Sequence, residues 1–483
     1  MYPFEKLEPV SIWKYFYEIC QIPRPSKKEE KIIDYLKKVG QTLGLDTKSD
    51  KIGNVLISKP GTKGKEDWPI VVLQSHVDMV CEKNSDTQHN FNLDPIIPFV
   101  EDGWVKARGT TLGADDGIGI AAQLALLASK TIEHGPLECL FTVDEETGLT
   151  GAFELQQGFF KGKTLINLDS EDEGELFIGC AGGIDTIATF DVESEILKEG
   201  FFAVRIDVSG LKGGHSGDDI NKGLACANKI LVQFLDQAEV EHDLRIATID
   251  GGNLRNAIAR EAYAIAVVPM SQKEPIRVSL NVFFAEIQHE YKQTESKLKI
   301  SLQSIDIPKM IFSKKFQSRI IESLMACPHG VIEMSREMAG MVETSTNLAS
   351  VKIEGDKLIV TTSQRSSVES AKTYISKSVA SVFELAGATV VHSDGYPGWA
   401  PNVQSKIMAI SKSSYIELFK TEPIVRAIHA GLECGLFLEK YPDLDMVSFG
   451  PTIRGAHSPD ERINIETVRK FWDLLIHVLQ RVK

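Results

Sequence analysis

Four stretches of this sequence set imidazole or carboxylate side chains against apolar runs. Gln74-Ser75-His76-Val77-Asp78 follows Ile70–Leu73, and Asp144-Glu145-Glu146 follows Leu137–Val143. Asp169 ends the run Thr164–Leu168, and Asp115-Asp116 stands directly before Gly117–Lys130. A histidine with several Asp and Glu and no cysteine is a donor set for Zn2+, Mn2+ or Co2+ used catalytically. Crowded carboxylates are unfavourable unless protons or cations neutralise them, and a divalent cation does so better. An open catalytic site takes about three protein ligands. Five or six candidates therefore point to two metals sharing a carboxylate, a site that activates water for hydrolysis. Singly, each piece is ordinary: a solvated Glu145–Glu146 strand end, an Asp115–Asp116 helix cap, a turn at Asp169. Their common position carries the reading.

The elements that must position these groups are strands alternating with helices. Ile52–Ile57, Ile70–Leu73, Leu137–Val143 and Thr164–Leu168 are short runs rich in Val, Ile, Leu and Phe, which suits buried strands. Gly117–Lys130 is helical, and Ser26 with Glu29 fits a capping box opening an amphipathic helix through Ile32, Ile33, Tyr35 and Leu36. This is an α/β pattern with a mixed, largely parallel sheet, whose ligands gather at the carboxyl ends of the strands. The middle region reads as a separate α/β domain, with strands at Phe202–Val208, Ala262–Val268 and Leu358–Thr362 and helices at Leu224–Leu235 and Val368–Leu385. Two rounds of strand, helix and strands are faintly visible there, without sequence identity between them. The first style resumes with a helix at Ser405–Leu418, a strand at Met446–Phe449 and a helix at Ile465–Leu479. The expected division is residues 1–186 and 401–483 for a discontinuous first domain and 187–400 for an insert.

The 483 residues carry 53 Lys and Arg against 67 Asp and Glu, a net charge of −14, which argues against a nucleic-acid or anionic-membrane binder. No run approaches the roughly 18 apolar residues of a membrane span, and the N-terminus lacks the basic-then-apolar form of a secretory signal. The seven cysteines are scattered, with no C-x-x-C pair, so neither a disulfide framework nor thiolate zinc is supported. A reduced, cytoplasmic, soluble protein is expected.

His76–Met79 (HVDM), Gly113–Gly117 (GADDG), Asp144–Gly148 (DEETG), Asn167–Glu171 (NLDSE) and Gly455–Glu461 (GAHSPDE) appear in order along the chain. Ile22–Ser26 (IPRPS), Gly213–Gly217 (GGHSG) and Arg255–Arg260 (RNAIAR) accompany them. Together these blocks resemble the co-catalytic zinc peptidase family that includes peptidase T, carboxypeptidase G and the desuccinylases, and within it the aminoacyl-histidine dipeptidase branch. The resemblance runs from about residue 11 to the C-terminus.

The resemblance implies one metal held by His76 and Asp169, another by Glu146 and His457, and Asp115 bridging them. It makes Glu145 the general base that deprotonates the attacking water and later protonates the leaving amine, with Asp78 behind His76. Asp78 has independent support, since strand positions two apart face one way and metal-bound His usually donates its other nitrogen to a carboxylate. His457, a loop residue, is placed by the resemblance alone. So are an inserted lid that mediates homodimerisation, His215 as the group polarising the scissile carbonyl, and Asn256 and Arg365 as substrate-holding groups. The implied activity is hydrolysis of dipeptides, Xaa-His and β-alanyl-histidine among them, with two Zn2+ (Mn2+ or Co2+ as alternatives). The competing readings are an N-acyl-amino-acid deacylase or desuccinylase with the same metals, and a non-catalytic binding or scaffold protein. An intact Glu145 argues against the last.

Overall fold

Val71–His76, Leu137–Thr142, Thr164–Asn167 and Asp445–Ser448 form the parallel centre of an eight-stranded sheet in the computed structural model, which describes residues 3–84, 86–336, 338, 340–429 and 431–483. Val71–His76 lies between Leu137–Thr142 and Thr164–Asn167, parallel to both, and Asp445–Ser448 runs parallel beyond Thr164–Asn167. Val55–Lys59 and Asp46–Ser49 extend one side in antiparallel fashion, and Glu175–Cys180 lies antiparallel on the other. The sheet is thus mixed, with its parallel strands together in the middle. Every residue of Val71–His76 and of Leu137–Thr142 is buried, as expected of strands covered on both faces. Trp13 and Phe16 of helix Val10–Cys20, Ile118 and Leu124 of helix Ala114–Ala128, and Phe471 and Leu475 of helix Ile465–Leu479 share one core with Leu73 and Ile166.

The capping box expected at Ser26 and Glu29 does not form. Helix Glu30–Thr42 begins without a side-chain cap. The Ser26 hydroxyl donates instead to Asp78 Oδ2 at 2.8 Å, and Glu29 Oε1 accepts from the Asp144 backbone at 3.0 Å. Ser26 is spent on a long-range contact, and Glu29 Oε1 is shared between the distant Asp144 N–H and the neighbouring Lys27 N–H at 2.9 Å, not the Ser26 N–H a capping box needs.

A second, four-stranded sheet pairs Pro98–Glu101 with Trp104–Ala107, Arg462–Asn464 and Ile453–Arg454. It matters because the segment carrying His457 is the connection between its last two strands.

The chain divides into two compact units: Met1–Cys180 with Trp399–Ala427 and Leu432–Lys483, and Ala181–Gly398 with Ile428–Gly431. The limits differ by a few residues from those expected because strand Gly182–Asp191 belongs to the second unit's sheet. The short return at Ile428–Gly431 has no compositional signal.

The second unit contains a nine-stranded antiparallel sheet, in which Gly330–Met334 pairs beside Val342–Glu354 and the other eight strands come from two βαββαβ halves. The first comprises strands Phe201–Ser209, Arg245–Gly251, Ala262–Pro269 and Lys299–Ser304 with helices Ala227–His242 and Lys273–Glu290. The second uses Gly182–Asp191, Val342–Glu354, Lys357–Ser366 and Thr389–His392 with helices Lys314–Ala326 and Glu369–Leu385. Both have the strand order 4-1-3-2, and their second strands meet at Gly251 and Val351. The first half is inserted after the opening strand of the second, which hides the repeat from a linear reading.

Candidate metal centre

Each candidate ligand except His457 sits where a core element begins or ends. His76 is the last residue of Val71–His76, and Asp169 lies two residues beyond Thr164–Asn167. Asp144, Glu145 and Glu146 follow Leu137–Thr142, with Asp144 in a left-handed conformation (φ 51°) that turns the chain. Asp115 and Asp116 have non-helical backbone angles at the start of Ala114–Ala128, so the regular helix begins at Gly117. His457 is also left-handed (φ 63°). Such backbone costs roughly 1–3 kcal/mol per residue. At Asp144 hydrogen bonds from the Thr147 and Thr150 hydroxyls offset it.

The geometry centres on Asp115. Its Oδ1 lies 2.9 Å from His76 Nε2 and its Oδ2 lies 3.1 Å from His457 Nε2. His76 Nε2 is also 3.5 Å from Asp169 Oδ1, and His457 Nε2 is 3.0 Å from Glu146 Oε2. Two triads result, His76–Asp115–Asp169 and Asp115–Glu146–His457, each with its donor atoms within 4.8 Å of one another. His76, Glu145 and Glu146 make an overlapping third group. Glu146 Oε1 is buried with no hydrogen-bond partner, an expensive state for a carboxylate oxygen unless a cation completes it. One imidazole with carboxylates and no thiol in each triad fits a divalent cation of the zinc, manganese or cobalt type.

Proton affinities point the same way. Burial pushes the Asp169 carboxyl up to about 7, against the pull of His76. Burial also raises Glu145 well above the usual range, and it raises Glu146, where the Asp115 charge adds to the effect. Burial would raise Asp115 too, but hydrogen bonds from His457 and His76 outweigh it and hold the group low. His457 rises to about 11 through its hydrogen bonds to Asp115 and Glu146. Without cations, protons and imidazolium must carry the positive charge this rim demands.

Asp78 is fully buried and does more than the sequence suggests. Its Oδ1 lies 3.3 Å from His76 Nδ1 and accepts the Glu145 N–H at 3.0 Å, while Oδ2 accepts the Glu146 N–H at 3.2 Å and the Ser26 hydroxyl. One carboxylate thus orients an imidazole and the backbone of the Glu145–Glu146 pair. Two further residues escaped the sequence reading although they lie inside the motif blocks. Glu461 accepts the backbone N–H groups of Leu112, Gly113, Ala114 and Asp115 at 2.7–3.3 Å, clamping the segment that carries Asp115. Arg24 donates to the carbonyls of Val77, Asp78 and Gly113, tying that segment to the His76 strand end. Their only sequence signal is a charged residue fixed within a motif, with no hint of its partner.

His215, Asn256 and Arg365 all belong to the second unit. His215 Nδ1 accepts the N–H groups of Gly217 and Asp218 at 3.3 and 3.2 Å, so that whenever the ring is neutral its proton is on Nε2. Asn256 is exposed, and its carbonyl accepts from Ser216 at 2.8 Å, beside His215. Arg365 is buried in strand Lys357–Ser366 and donates to the Tyr396 hydroxyl at 2.8 Å. The structure therefore gathers His76, Asp78, Asp115, Glu145, Glu146, Asp169 and His457 in the first unit and holds the other three in the second.

A parallel-centred sheet with these triads at its rim defines a metallopeptidase class, and the chain belongs to peptidase family M20/M25/M40, whose model matches residues 72–481. The chain is 43% identical over 482 residues to the cytosol non-specific dipeptidase of Escherichia coli (strain K12), spanning 100% of this chain and 99% of the relative. It superposes on the crystal structure of aminoacylhistidine dipeptidase from Vibrio alginolyticus with a TM-score of 0.89 at 45% identity, covering 100% of this chain and 99% of the other. A tripeptidase from Staphylococcus aureus shares the fold at a TM-score of 0.58 and 18% identity, over 99% of each chain. Among the described residues no helix is long and apolar enough to cross a membrane.

Proposed function

We propose that this protein is a metal-dependent dipeptidase whose substrates include Xaa-His dipeptides. The observation that carries the reading is Asp115, with one oxygen facing His76 and the other facing His457, each in its own triad, and Glu145 alongside. Similarity along the whole chain to two proteins named as dipeptidases supports the substrate class.

His76, Asp169 and Asp115 would hold one divalent cation and Glu146, His457 and Asp115 the other, Zn2+ first and Mn2+ or Co2+ as alternatives. Bound there, the cations supply positive charge that acidifies a water and polarises the peptide carbonyl. Glu145 accepts the proton of that water as the water oxygen adds to the carbonyl carbon, and delivers it to the amine nitrogen as the C–N bond breaks, leaving a carboxylate and a free amine. Asp78 keeps His76 and the Glu145 backbone in place throughout. The second unit acts as the lid: His215 offers its Nε2 proton to the carbonyl oxygen as charge develops, Asn256 holds the substrate, and Arg365 meets the free carboxylate. A carboxylate contact at fixed reach favours dipeptides over longer chains. We place the protein in the cytoplasm, as a homodimer formed through the second unit.

Turnover of Ala-His and β-alanyl-histidine against N-acetyl and N-succinyl amino acids tests the substrate class. Faster release of acyl groups would make the protein a deacylase. Chelation should abolish turnover and added Zn2+, Mn2+ or Co2+ restore it. Glu145→Ala should lower kcat at least about 100-fold with metal content unchanged.

A further inference from the structure

Beneath the rim, the parallel centre of the sheet contains a line of buried polar side chains that the reaction above does not use. Each of the four parallel strands contributes one: Thr142, Gln74, Asn167 and Ser448, all fully buried. Strand cores buried on both faces are normally apolar, so one polar residue per strand at adjacent positions needs a reason. They are joined in sequence. The Ser448 hydroxyl donates to Asn167 Oδ1 at 2.5 Å, Asn167 Nδ2 donates to Gln74 Oε1 at 2.6 Å, and Gln74 Nε2 lies 3.1 Å from the Thr142 hydroxyl.

The line ends on Glu433, a fully buried carboxylate delivered from the start of helix Cys434–Lys440. Glu433 Oε2 accepts both Gln74 Nε2 at 2.6 Å and the Thr142 hydroxyl at 2.7 Å, so one oxygen ties two neighbouring strands. Gln74 is two residues before His76, and Thr142 is three residues before Glu145. At the other side, Asn167 Oδ1 also accepts the backbone N–H of Asp169 at 3.3 Å. The same row thus meets the chain just ahead of His76, Glu145 and Asp169, two ligands and the general base, on three strands.

We propose that Glu433 is a positioning residue for the hydrolytic reaction, anchoring a polar row that sets the spacing of His76, Asp169 and Glu145. The proposal rests on the dipeptidase reading for its reaction, though its geometry does not. Both Glu433 contacts, from Gln74 and Thr142, are hydrogen bonds accepted by the one oxygen Oε2, which an amide oxygen could accept as well, and burial pushes the carboxyl up to about 8. Displacements of about 1 Å cost on the order of 100-fold in rate, so a partial loss of register reads as a smaller fall in kcat.

The test begins with wild-type turnover of Ala-His. A wild type that turns over no dipeptide sinks the functional reading, whereas an active one puts Glu433 on trial alone. Glu433→Ala is expected to lower kcat about 10- to 100-fold with KM within about threefold, at a temperature where circular dichroism shows it folded and with metal content unchanged. Glu433→Gln keeps an acceptor oxygen and should retain kcat within about threefold. A folded Glu433→Ala with wild-type kcat overturns the proposal. So does a Glu433→Gln as impaired as Glu433→Ala, since charge would then be the requirement. Thr142→Val, which removes one of the two donors at similar volume, serves if Glu433→Ala fails to fold. A selective fall in its kcat supports the proposal, and unchanged kinetics refute it.

Discussion

Replacing Asp78 by alanine isolates what holds the site in place, because Asp78 is argued to touch neither substrate nor cation. Its carboxylate accepts the N–H groups of Glu145 and Glu146 at 3.0 and 3.2 Å and the Ser26 hydroxyl at 2.8 Å, and lies 3.3 Å from His76 Nδ1. The Ser26 hydroxyl can turn elsewhere. The two backbone donors and the imidazole cannot. A buried donor left without an acceptor costs about 1–3 kcal/mol, so two N–H groups account for roughly 2–6 kcal/mol. Relief from burying the Asp78 charge offsets part of this. We expect Asp78→Ala to lose about 3 kcal/mol in urea unfolding of the chelated protein. Freed to rotate, His76 should bind its cation about 10- to 100-fold more weakly, measured by titration calorimetry, with kcat falling in step. Asp78→Asn retains one acceptor oxygen and should fall between. Unfolding within about 0.5 kcal/mol of wild type, together with unaltered metal affinity, would refute the reasoning.

Glu461→Gln leaves one acceptor oxygen for the N–H groups that two now hold, so the segment carrying Asp115 should loosen and metal affinity fall about 10-fold. Calorimetric affinity equal to wild type would exclude the clamp. His429 of the second unit is buried and its imidazole is lowered to about 3, by burial first and then by the charges of Arg365 and His215. Between pH 6.5 and 3 the unfolded chain binds a proton there that the folded chain refuses, so its contribution is intact above 6.5 and lost on acidification. Replacing His429 by Gln should flatten the fall in stability across pH 6–4 by on the order of 1 kcal/mol per pH unit, read from urea midpoints. Parallel curves for the two proteins would count against it.

The strands that carry the site were legible because a strand buried on both faces has to be a continuous apolar run, and the point where polarity returns marks its rim. That logic singles out His76, Glu145, Glu146 and Asp169, while Asp115 stands out by its place directly before the helical run at Gly117. His457 was not legible from its surroundings, since a half-exposed loop histidine resembles any other until the small sheet folds it back onto Asp115. Ser26 and Glu29 misled for a related reason: local spacing fits a capping box, but Asp78 and the Asp144 backbone compete for the same side chains and win. Glu433 sits in Leu432-Glu433-Cys434-Gly435-Leu436-Phe437, where a single acid in an apolar run was the available clue. Its partners Gln74 and Thr142 lie far away in the sequence, on strands whose neighbours only the sheet order reveals.

What the acids pair with decides what they are for. Among the described residues, no Lys or Arg forms an ion pair with Asp115, Glu145, Glu146 or Asp169. The guanidinium that comes near, Arg24, spends its hydrogen bonds on the carbonyls of Val77, Asp78 and Gly113. The scaffold is held instead by backbone N–H groups donated to Asp78 and Glu461, dipoles that orient carboxylates without cancelling the charge of the ligands themselves. A lysine paired with Glu146 would satisfy its orphaned oxygen and occupy the place of a cation. Holding the ligands rigid while leaving their charge uncompensated makes divalent-cation binding favourable, and the chain achieves it by anchoring the surrounding backbone rather than by pairing the acids.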